Sequence, residues 1–260
     1  MHRLFQARSF ARYVIKGKSK YYIHSPFVFS FINNVLHDKR AFYCYEEIEE
    51  LRKKLKHSHE IISVEDFGAG AAMKKRERLV RDIVLTAVKP GKYGQLLFRI
   101  ASAFNAHEIL ELGTSLGLTT LYLSSANDNS KVITLEGSSA IAAIAMRRFN
   151  EMDRKNIQLV EGRFEETLPK ALEQTTKLDL VYFDGNHRLQ PTLHYFEQCL
   201  AKSHNDSIFV FDDIYWSKEM AEAWKRIKSH EAVTLTIDLF QLGIVFFRKE
   251  MQKEHFVLYY

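Results

Sequence analysis

Hydrophobic and polar positions alternate in a regular way over the second part of the chain. From Glu108 onward, short apolar runs such as "HEILELG", "KVITLEG", "NIQLVEG", "LDLVYFDG" and "SIFVFDD" are separated by longer segments with apolar residues at helical spacing. Apolar runs of this length with helical crossovers are typical of parallel strands that are covered on both faces. The last two runs, "VTLTIDLF" and "LGIVFFRK", are too close for a crossover, which predicts an antiparallel pair.

The residues before these strands have a largely helical pattern. Ser25 and Pro26 are suited to the N-cap and the first position of a helix, and apolar residues follow at helical spacing. "EIISVEDFG" is a candidate short strand, and "RLVRDIVLTAV" predicts a helix with one apolar face. We therefore predict a helical N-terminal extension or lid over residues 1–90 and an α/β domain over residues 91–260.

Composition and charge narrow the class of protein. The chain has 260 residues, 46% of them hydrophobic, and a net charge of +5. No apolar run approaches the ~18 residues of a membrane span, and the first residues do not resemble a secretory signal. The two cysteines, Cys44 and Cys199, are far apart and form neither a metal motif nor a disulfide framework. These features favour a cytoplasmic protein with no membrane span.

The basic residues are concentrated in two places. No acidic residue precedes Asp38, whereas six Lys and Arg residues do, and a second basic run is "KKRER", beginning at Lys74. Such patches are compatible with nucleic acid or an anionic lipid surface, and equally with a solvated helix face. Charge alone therefore does not assign a partner.

Two glycine turns compete for the role of cofactor loop. One lies in "VEDFGAGAA" and the other in "ILELGTSLGLTTLYLSS". In a doubly wound sheet, an acid that binds ribose hydroxyls ends the next strand, ~20 residues further on. Glu136 lies at that distance from Gly113, at the end of "VITLEG", whereas the window after Gly68 has neither a strand nor an acid. The second turn is therefore the predicted cofactor loop.

Three ligands or activities are compatible with this turn. A dinucleotide needs G-x-G-x-x-G, but Ser115 stands at the middle position between Gly113 and Gly117. "GTSLG" also matches the nucleophile elbow of serine hydrolases, with Ser115 as the nucleophile, although the preceding residues look helical rather than strand-forming. S-adenosylmethionine (SAM) carries no phosphate, and its carboxylate suits the N–H groups and hydroxyls of Thr114, Ser115 and Thr119. Glu111 adds negative charge for the cationic end of SAM.

"ILELGTSLGLTTLYL" resembles motif I of class I SAM-dependent methyltransferases, especially the O-methyltransferases of the catechol and caffeoyl-CoA type and their small bacterial relatives. The resemblance extends from about Gly94 to Lys249 and includes "GQLL", "LEG", "VEGRFEETLP", "YFDGNH" and "FVFDD". It implies an α/β fold with a Rossmann-like, doubly wound sheet of seven strands in the order 3-2-1-4-5-7-6, mostly parallel with an antiparallel last strand. Residues 1–90 lie outside it.

The resemblance also implies the site. Asp184 and His187, in "DGNH", occupy the catalytic turn, where the family has Lys instead of His187, and a His is a plausible base near neutral pH. Asp184, Asp212 and Asp213 correspond to a site for Mg²⁺ or Ca²⁺, although the family has Asp-Asn where this chain has Asp212-Asp213. The residues expected to bind SAM are Glu111, Gly113, Thr114, Ser115, Gly117, Thr119, Glu136, Gly137, Gly162, Arg163 and Asp184.

The predicted activity is O-methylation of a small-molecule acceptor, with deprotonation of the acceptor. The alternatives are an RNA methyltransferase that uses the basic N-terminal region, a non-catalytic SAM binder and the serine hydrolase. "VEDFGAGAA" is either a flexible turn before a helix or a mobile lid whose Asp66 and basic "KKRER" helix select the acceptor. The terminal "HFVLYY" is expected to lie on the sheet or on a second subunit, so a homodimer is a further expectation.

Overall fold

A computed structural model describes residues 2–66 and 74–260. Within these residues the chain forms ten α-helices and ten strands. The helices are α1 (His2–Lys16), α2 (Pro26–Phe31), α3 (Tyr43–Lys56), α4 (Val80–Ala87), α5 (Gly91–Ala103), α6 (Leu118–Ser124), α7 (Ser139–Glu151), α8 (Phe164–Glu173), α9 (Leu189–Leu200) and α10 (Lys218–Ser229). The strands are β1 (Ile61–Asp66), β2 (Lys74–Leu79), β3 (Glu108–Leu112), β4 (Lys131–Glu136), β5 (Ile157–Glu161), β6 (Leu180–Phe183), β7 (Ile208–Asp212), β8 (Leu235–Asp238), β9 (Leu242–Phe246) and β10 (Glu254–Val257).

The chain divides into two compact units. The central unit contains Asp38–Gln174, and the split unit combines Met1–His37 with Thr175–Tyr260. Residues from α3 and α4, among them Ile48 and Val80, share a buried apolar cluster with Leu121 and Phe149 of the central unit. The α/β class predicted from the sequence is confirmed, whereas the domain boundary near residue 90 stays a prediction.

The central unit carries the first half of the predicted strand order. Parallel β4 lies between β3 and β5, with Leu110 paired to Ile133 and Thr134 to Leu159. Strands β3 and β4 are almost entirely buried, because helices cover parallel strands on both faces, while β5 is half-buried. This arrangement corresponds to the predicted order 3-2-1.

The split unit carries the second half, with one additional strand. Its order is β6-β7-β9-β8-β10: β6 and β7 are parallel, β9 runs antiparallel to both β7 and β8, and β10 is parallel to β8. The first four strands match the predicted 4-5-7-6, including the antiparallel pair. Strand β10 contains the first three residues of "HFVLYY" and lies on the sheet, as one of the two alternatives predicted. A seven-strand pattern does not include it, so the predicted strand count was one too low.

Helix α1 is attached to this additional strand. Lys18 donates its backbone N–H to Val257 (2.8 Å), and the hydroxyl of Tyr13 donates to the carbonyl of Leu258 (2.6 Å). In return, Tyr259 donates to the carbonyl of Val14 (2.6 Å). The two chain-terminal segments therefore hold each other within the split unit.

The prediction of a basic helix at "KKRER" was wrong. Lys74–Leu79 forms β2, which pairs antiparallel with β1, so that Arg76 lies opposite Val64 and Arg78 opposite Ile62. Pairing with a β-prone segment determines the conformation here, because a short charged run has no strong preference of its own. The glycines Gly68 and Gly70, and with them the turn and lid hypotheses for "VEDFGAGAA", lie outside the described residues.

Candidate active site

The predicted cofactor loop connects β3 to α6 in the central unit and has an unusual backbone. Gly113, Ser115 and Gly117 all have positive φ angles, of 109°, 49° and 81°. Gly117 is the N-cap of α6, and a Cβ atom there would lie 2.6 Å from Cε1 of Phe149. Both the backbone conformation and the close packing therefore require glycine at this position.

The loop is held against β4 by backbone and side-chain hydrogen bonds. The N–H groups of Gly113 and Thr114 both donate to the carbonyl of Leu135, at 3.0 and 3.1 Å. The carboxylate of Glu136 accepts the N–H of Ser115 on one oxygen and that of Ser138 on the other, each at 2.9 Å. These two bonds fix the orientation of the carboxylate. Because each carboxylate oxygen has two lone pairs, acceptor capacity remains for the two hydroxyls of a ribose.

Glu111 is fully buried beneath this loop within a set of threonines. Its Oε2 accepts hydrogen bonds from the hydroxyls of Thr120 and Thr134, the latter at 2.6 Å. Since the Thr134 proton points to Glu111, Thr134 accepts in turn from Thr114, 2.6 Å away. Charge-assisted bonds of this kind compensate for burial of the carboxylate. The network links motif I to β4 through Thr134, which the sequence reasoning missed.

The remaining predicted cofactor residues lie at neighbouring strand ends and on α6. Gly137 and Thr119 are half-buried, and Gly162 has a φ of 134° with its N–H donated to the carbonyl of Glu136 (2.9 Å). Arg163 is the exposed N-cap of α8. The central unit thus brings together Glu136, Gly137 and Gly162 around the end of β4, next to the loop at Ser115.

The split unit holds the predicted catalytic turn, between β6 and α9. Nε2 of His187 lies 3.5 Å from Oδ1 of Asp184, and both side chains are largely buried. Asn186, with a φ of 53°, donates to the hydroxyl of Tyr195 (3.1 Å) and accepts from Nε of Arg188 (2.8 Å). Residue 186 therefore anchors the turn that carries the pair, a role that the sequence reasoning missed.

The two aspartates at the end of β7 differ in exposure. Asp212 is buried, whereas Asp213 is half-buried and has a φ of 53°. Asp213 donates its N–H to the carbonyl of Gln241 (2.8 Å) and accepts at its own carbonyl from Trp216 (2.8 Å). Among residues 2–66 and 74–260, no group of three or more His, Cys, Asp or Glu side chains is arranged to hold a metal ion.

A third aspartate of this region was not predicted. Asp238, buried at the end of β8, accepts from the hydroxyl of Tyr215 (2.6 Å), from Nε1 of Trp224 (3.3 Å) and from the N–H of Phe240 (2.9 Å). Burial and the nearby Asp238 carboxylate both raise the pKa of Tyr215. Tyr215 thus anchors the loop after β7.

Comparison with known proteins agrees with this architecture. Residues 110–214 match the model of a family described as "Methyltransferase domain". The chain is 27% identical over 158 residues to the catechol O-methyltransferase of Niastella koreensis, covering 60% of this chain and 69% of that one.

Solved structures have the same fold. SAH-bound PaMTH1, a methyltransferase of Podospora anserina, has a TM-score of 0.62 at 14% identity, covering 84% of this chain and 93% of that one. TomG, an O-methyltransferase of Streptomyces achromogenes involved in tomaymycin synthesis and solved in complex with SAM, has a TM-score of 0.59 at 16% identity, covering 80% and 91%.

The fold and the loop after β3 are similar to those of class I SAM-dependent methyltransferases, and residues 110–214 match a methyltransferase domain. In sequence the chain is similar to an O-methyltransferase, and structures of the same fold have been solved with SAM or SAH bound. Nothing in these comparisons favours the RNA-methyltransferase or serine-hydrolase alternatives. Among the described residues, no helix is both long and apolar enough to cross a membrane.

Proposed function

We propose that this protein transfers the methyl group of SAM to an oxygen atom of a small-molecule acceptor and that Glu136 holds the SAM ribose. The observation that carries the proposal is the double hydrogen bond from the N–H groups of Ser115 and Ser138 to the Glu136 carboxylate. These bonds orient the carboxylate as a hydrogen-bond acceptor for the ribose hydroxyls of SAM. The neighbouring loop has glycine backbone without side chains, which suits the amino-acid moiety of SAM. Gly113, Thr114, Ser115, Gly117 and Thr119 would receive that moiety.

The other proposed cofactor contacts are inferred from where their residues lie relative to Glu136 and the loop after β3. Gly137 and Gly162 provide backbone without side chains beside Glu136, which would leave room for the adenosine, and Arg163 would contact its edge. Glu111 is buried at the base of the loop and contributes negative charge toward the cationic end of SAM. Asp184 is proposed as a further contact with SAM.

SAM, when bound, supplies a methyl group on a positively charged sulfur, so the donor is already activated. The protein has to orient the acceptor and remove its proton. We assign proton removal to His187, whose Nε2 lies 3.5 Å from Asp184. A carboxylate at that position stabilises the imidazolium that forms when the histidine takes up the proton.

A metal ion is a separate hypothesis, with Asp184, Asp212 and Asp213 as its ligands and Mg²⁺ or Ca²⁺ as the ion. The described residues present no preformed metal cluster, so no step above depends on one. Activity measured after EDTA treatment and again after addition of each ion decides this point. Unchanged activity under all these conditions would remove the metal from the proposal.

The principal experiment combines binding and turnover. Thermal stabilisation by SAM and by S-adenosylhomocysteine is expected, because a ligand that binds only the native state raises the melting temperature. Transfer of label from methyl-labelled SAM is then followed with ortho-diphenols, the acceptors suggested by the catechol O-methyltransferase relative. No thermal shift at millimolar SAM would contradict the proposal, while a shift without transfer would reject only these acceptors.

A further inference from the structure

Helix α1 has one face that is fixed to the split unit. Gln6 donates to the carbonyl of Trp216 (3.1 Å), Ser9 is buried, and the ring of Tyr13 lies 5.4 Å from that of Phe240. These residues are three and four positions apart and therefore line a single side of the helix. The opposite side faces outward.

The outward side is apolar. The α1 outer face comprises Leu4, Ala7, Ala11, Val14 and Ile15, all of them exposed. Leu4 is 61% exposed and Ile15 is 83% exposed. A surface helix ordinarily buries its apolar stripe and exposes its polar one. Here both sides of α1 carry apolar residues, and among the described residues only the side that contains Tyr13 is covered.

Cations flank this face and continue beyond it. Arg3, Arg8, Arg12 and Lys16 are exposed on α1, and Lys18 and Lys20 follow in the next segment. Tyr21 and Tyr22, 81% and 70% exposed, come directly after them. The first acidic residue of the chain is Asp38, and among the described ion pairs none involves these six cations.

We propose that the α1 outer face docks on the surface of an anionic lipid bilayer. An interfacial helix places aliphatic side chains at the boundary between headgroups and acyl chains, with Lys and Arg at the level of the anionic headgroups. Tyrosines prefer the same interface. Leu4 and Ile15, which lie before and after Arg8 and Arg12 along the helix, match this arrangement, as do Tyr21 and Tyr22 beyond its end.

Charge and chemistry favour a bilayer over the other occupants. A second copy of the chain in a two-fold contact would bring the same cations face to face, which is repulsive. Nucleic acid would engage Arg8 and Arg12 but gain little from exposed Leu4 and Ile15, because its backbone offers phosphates rather than apolar surface. An anionic bilayer accommodates both the cationic side chains and the exposed aliphatic ones.

The test is co-sedimentation of the full chain with vesicles of phosphatidylcholine that contain about one third phosphatidylserine, compared with phosphatidylcholine alone. Binding is expected only with the anionic lipid. The triple variant Arg8→Ala, Arg12→Ala, Lys16→Ala should bind roughly 100-fold more weakly, at about fivefold per cation. The double variant Leu4→Ser, Ile15→Ser should also bind more weakly.

A matched control removes three exposed cations elsewhere, Lys53→Ala, Lys54→Ala and Lys56→Ala, and should leave vesicle binding within about twofold. All variants are exposed substitutions, and their melting temperatures establish that they fold. Equal loss in the control triple, or equal binding to both vesicle types, would overturn the proposal. So would tighter binding to duplex RNA than to vesicles, or a dimer in sedimentation velocity that dissociates in the Leu4/Ile15 variant.

Discussion

The carboxylate of Glu136 accepts the backbone N–H of Ser115 at 2.9 Å, across the gap between the end of β4 and the loop that follows β3. The glycine turn and the acid 23 residues beyond Gly113, which the sequence links by their spacing, are thereby in direct contact. Ser115 has a φ of 49°, and its N–H points to the acid. The bond explains how an otherwise mobile carboxylate is held ready for a ribose.

Replacement of Glu136 by Gln should weaken SAM binding. The amide has only one acceptor oxygen, so it cannot accept from both Ser115 and Ser138, and it offers less to the ribose hydroxyls. We expect the Kd for SAM to rise by at least about tenfold, since a hydrogen bond to a charged group contributes about 1.5–3 kcal/mol. Isothermal titration measures this. Glu173→Gln, an exposed acid of the same unit, is the control and should bind SAM normally; unaltered affinity in Glu136→Gln would argue against a cofactor role.

Replacement of Gly117 by Ala should destabilise the fold. The added Cβ is strained at a φ of 81° and would lie 2.6 Å from the ring of Phe149. Together these effects should lower the free energy of unfolding by about 2–4 kcal/mol. Urea unfolding measures it. In a double-mutant cycle, Phe149→Leu should relieve the steric clash but not the backbone strain, so Gly117→Ala should cost less free energy of unfolding in the Phe149→Leu background. If the losses from the two substitutions are strictly additive, contact with Phe149 is not the cause.

Replacement of His187 by Gln should lower turnover with little change in SAM affinity. A positioned general base contributes about 10²–10⁴-fold to rate, and His187 is assigned this role through its contact with Asp184. The measurement is kcat for methyl transfer alongside SAM titration. His194→Gln, an exposed histidine of α9, is the matched control and should retain full activity. A His187→Gln enzyme with normal kcat would exclude the base.

The buried thiol of Cys44 should make the fold sensitive to alkali. Burial raises the pKa of Cys44 from 9.0 to about 11. A raised pKa in the folded state means that the folded chain retains the proton longer, so its stabilisation is complete below pH 9 and is lost as the pH rises toward 11. The wild type should lose roughly 2 kcal/mol more than Cys44→Ala over this interval, at about 1.4 kcal/mol per pH unit. Urea unfolding at a series of pH values compares the two slopes, and parallel slopes would contradict the assignment.

Much of this protein follows from local sequence. The period of apolar residues determines the type of most elements, because a buried strand and an amphipathic helix need different spacings. The short distance between β8 and β9 determines their antiparallel pairing. The glycine turn and the acid at Glu136 could be assigned together since the spacing of a βαβ unit is nearly fixed.

Other features depend on residues that are distant in the sequence, which no local pattern encodes. "KKRER" forms a strand because β1 pairs with it, and "HFVLYY" joins the sheet because the edge of β8 accepts it. Thr134 and Ser138 acquire their roles only when β4 is placed beside the loop after β3. The sequence determined the elements and the chemistry at their ends, whereas tertiary contacts decided which side chains orient that chemistry, because a hydrogen-bond partner is defined by distance in space.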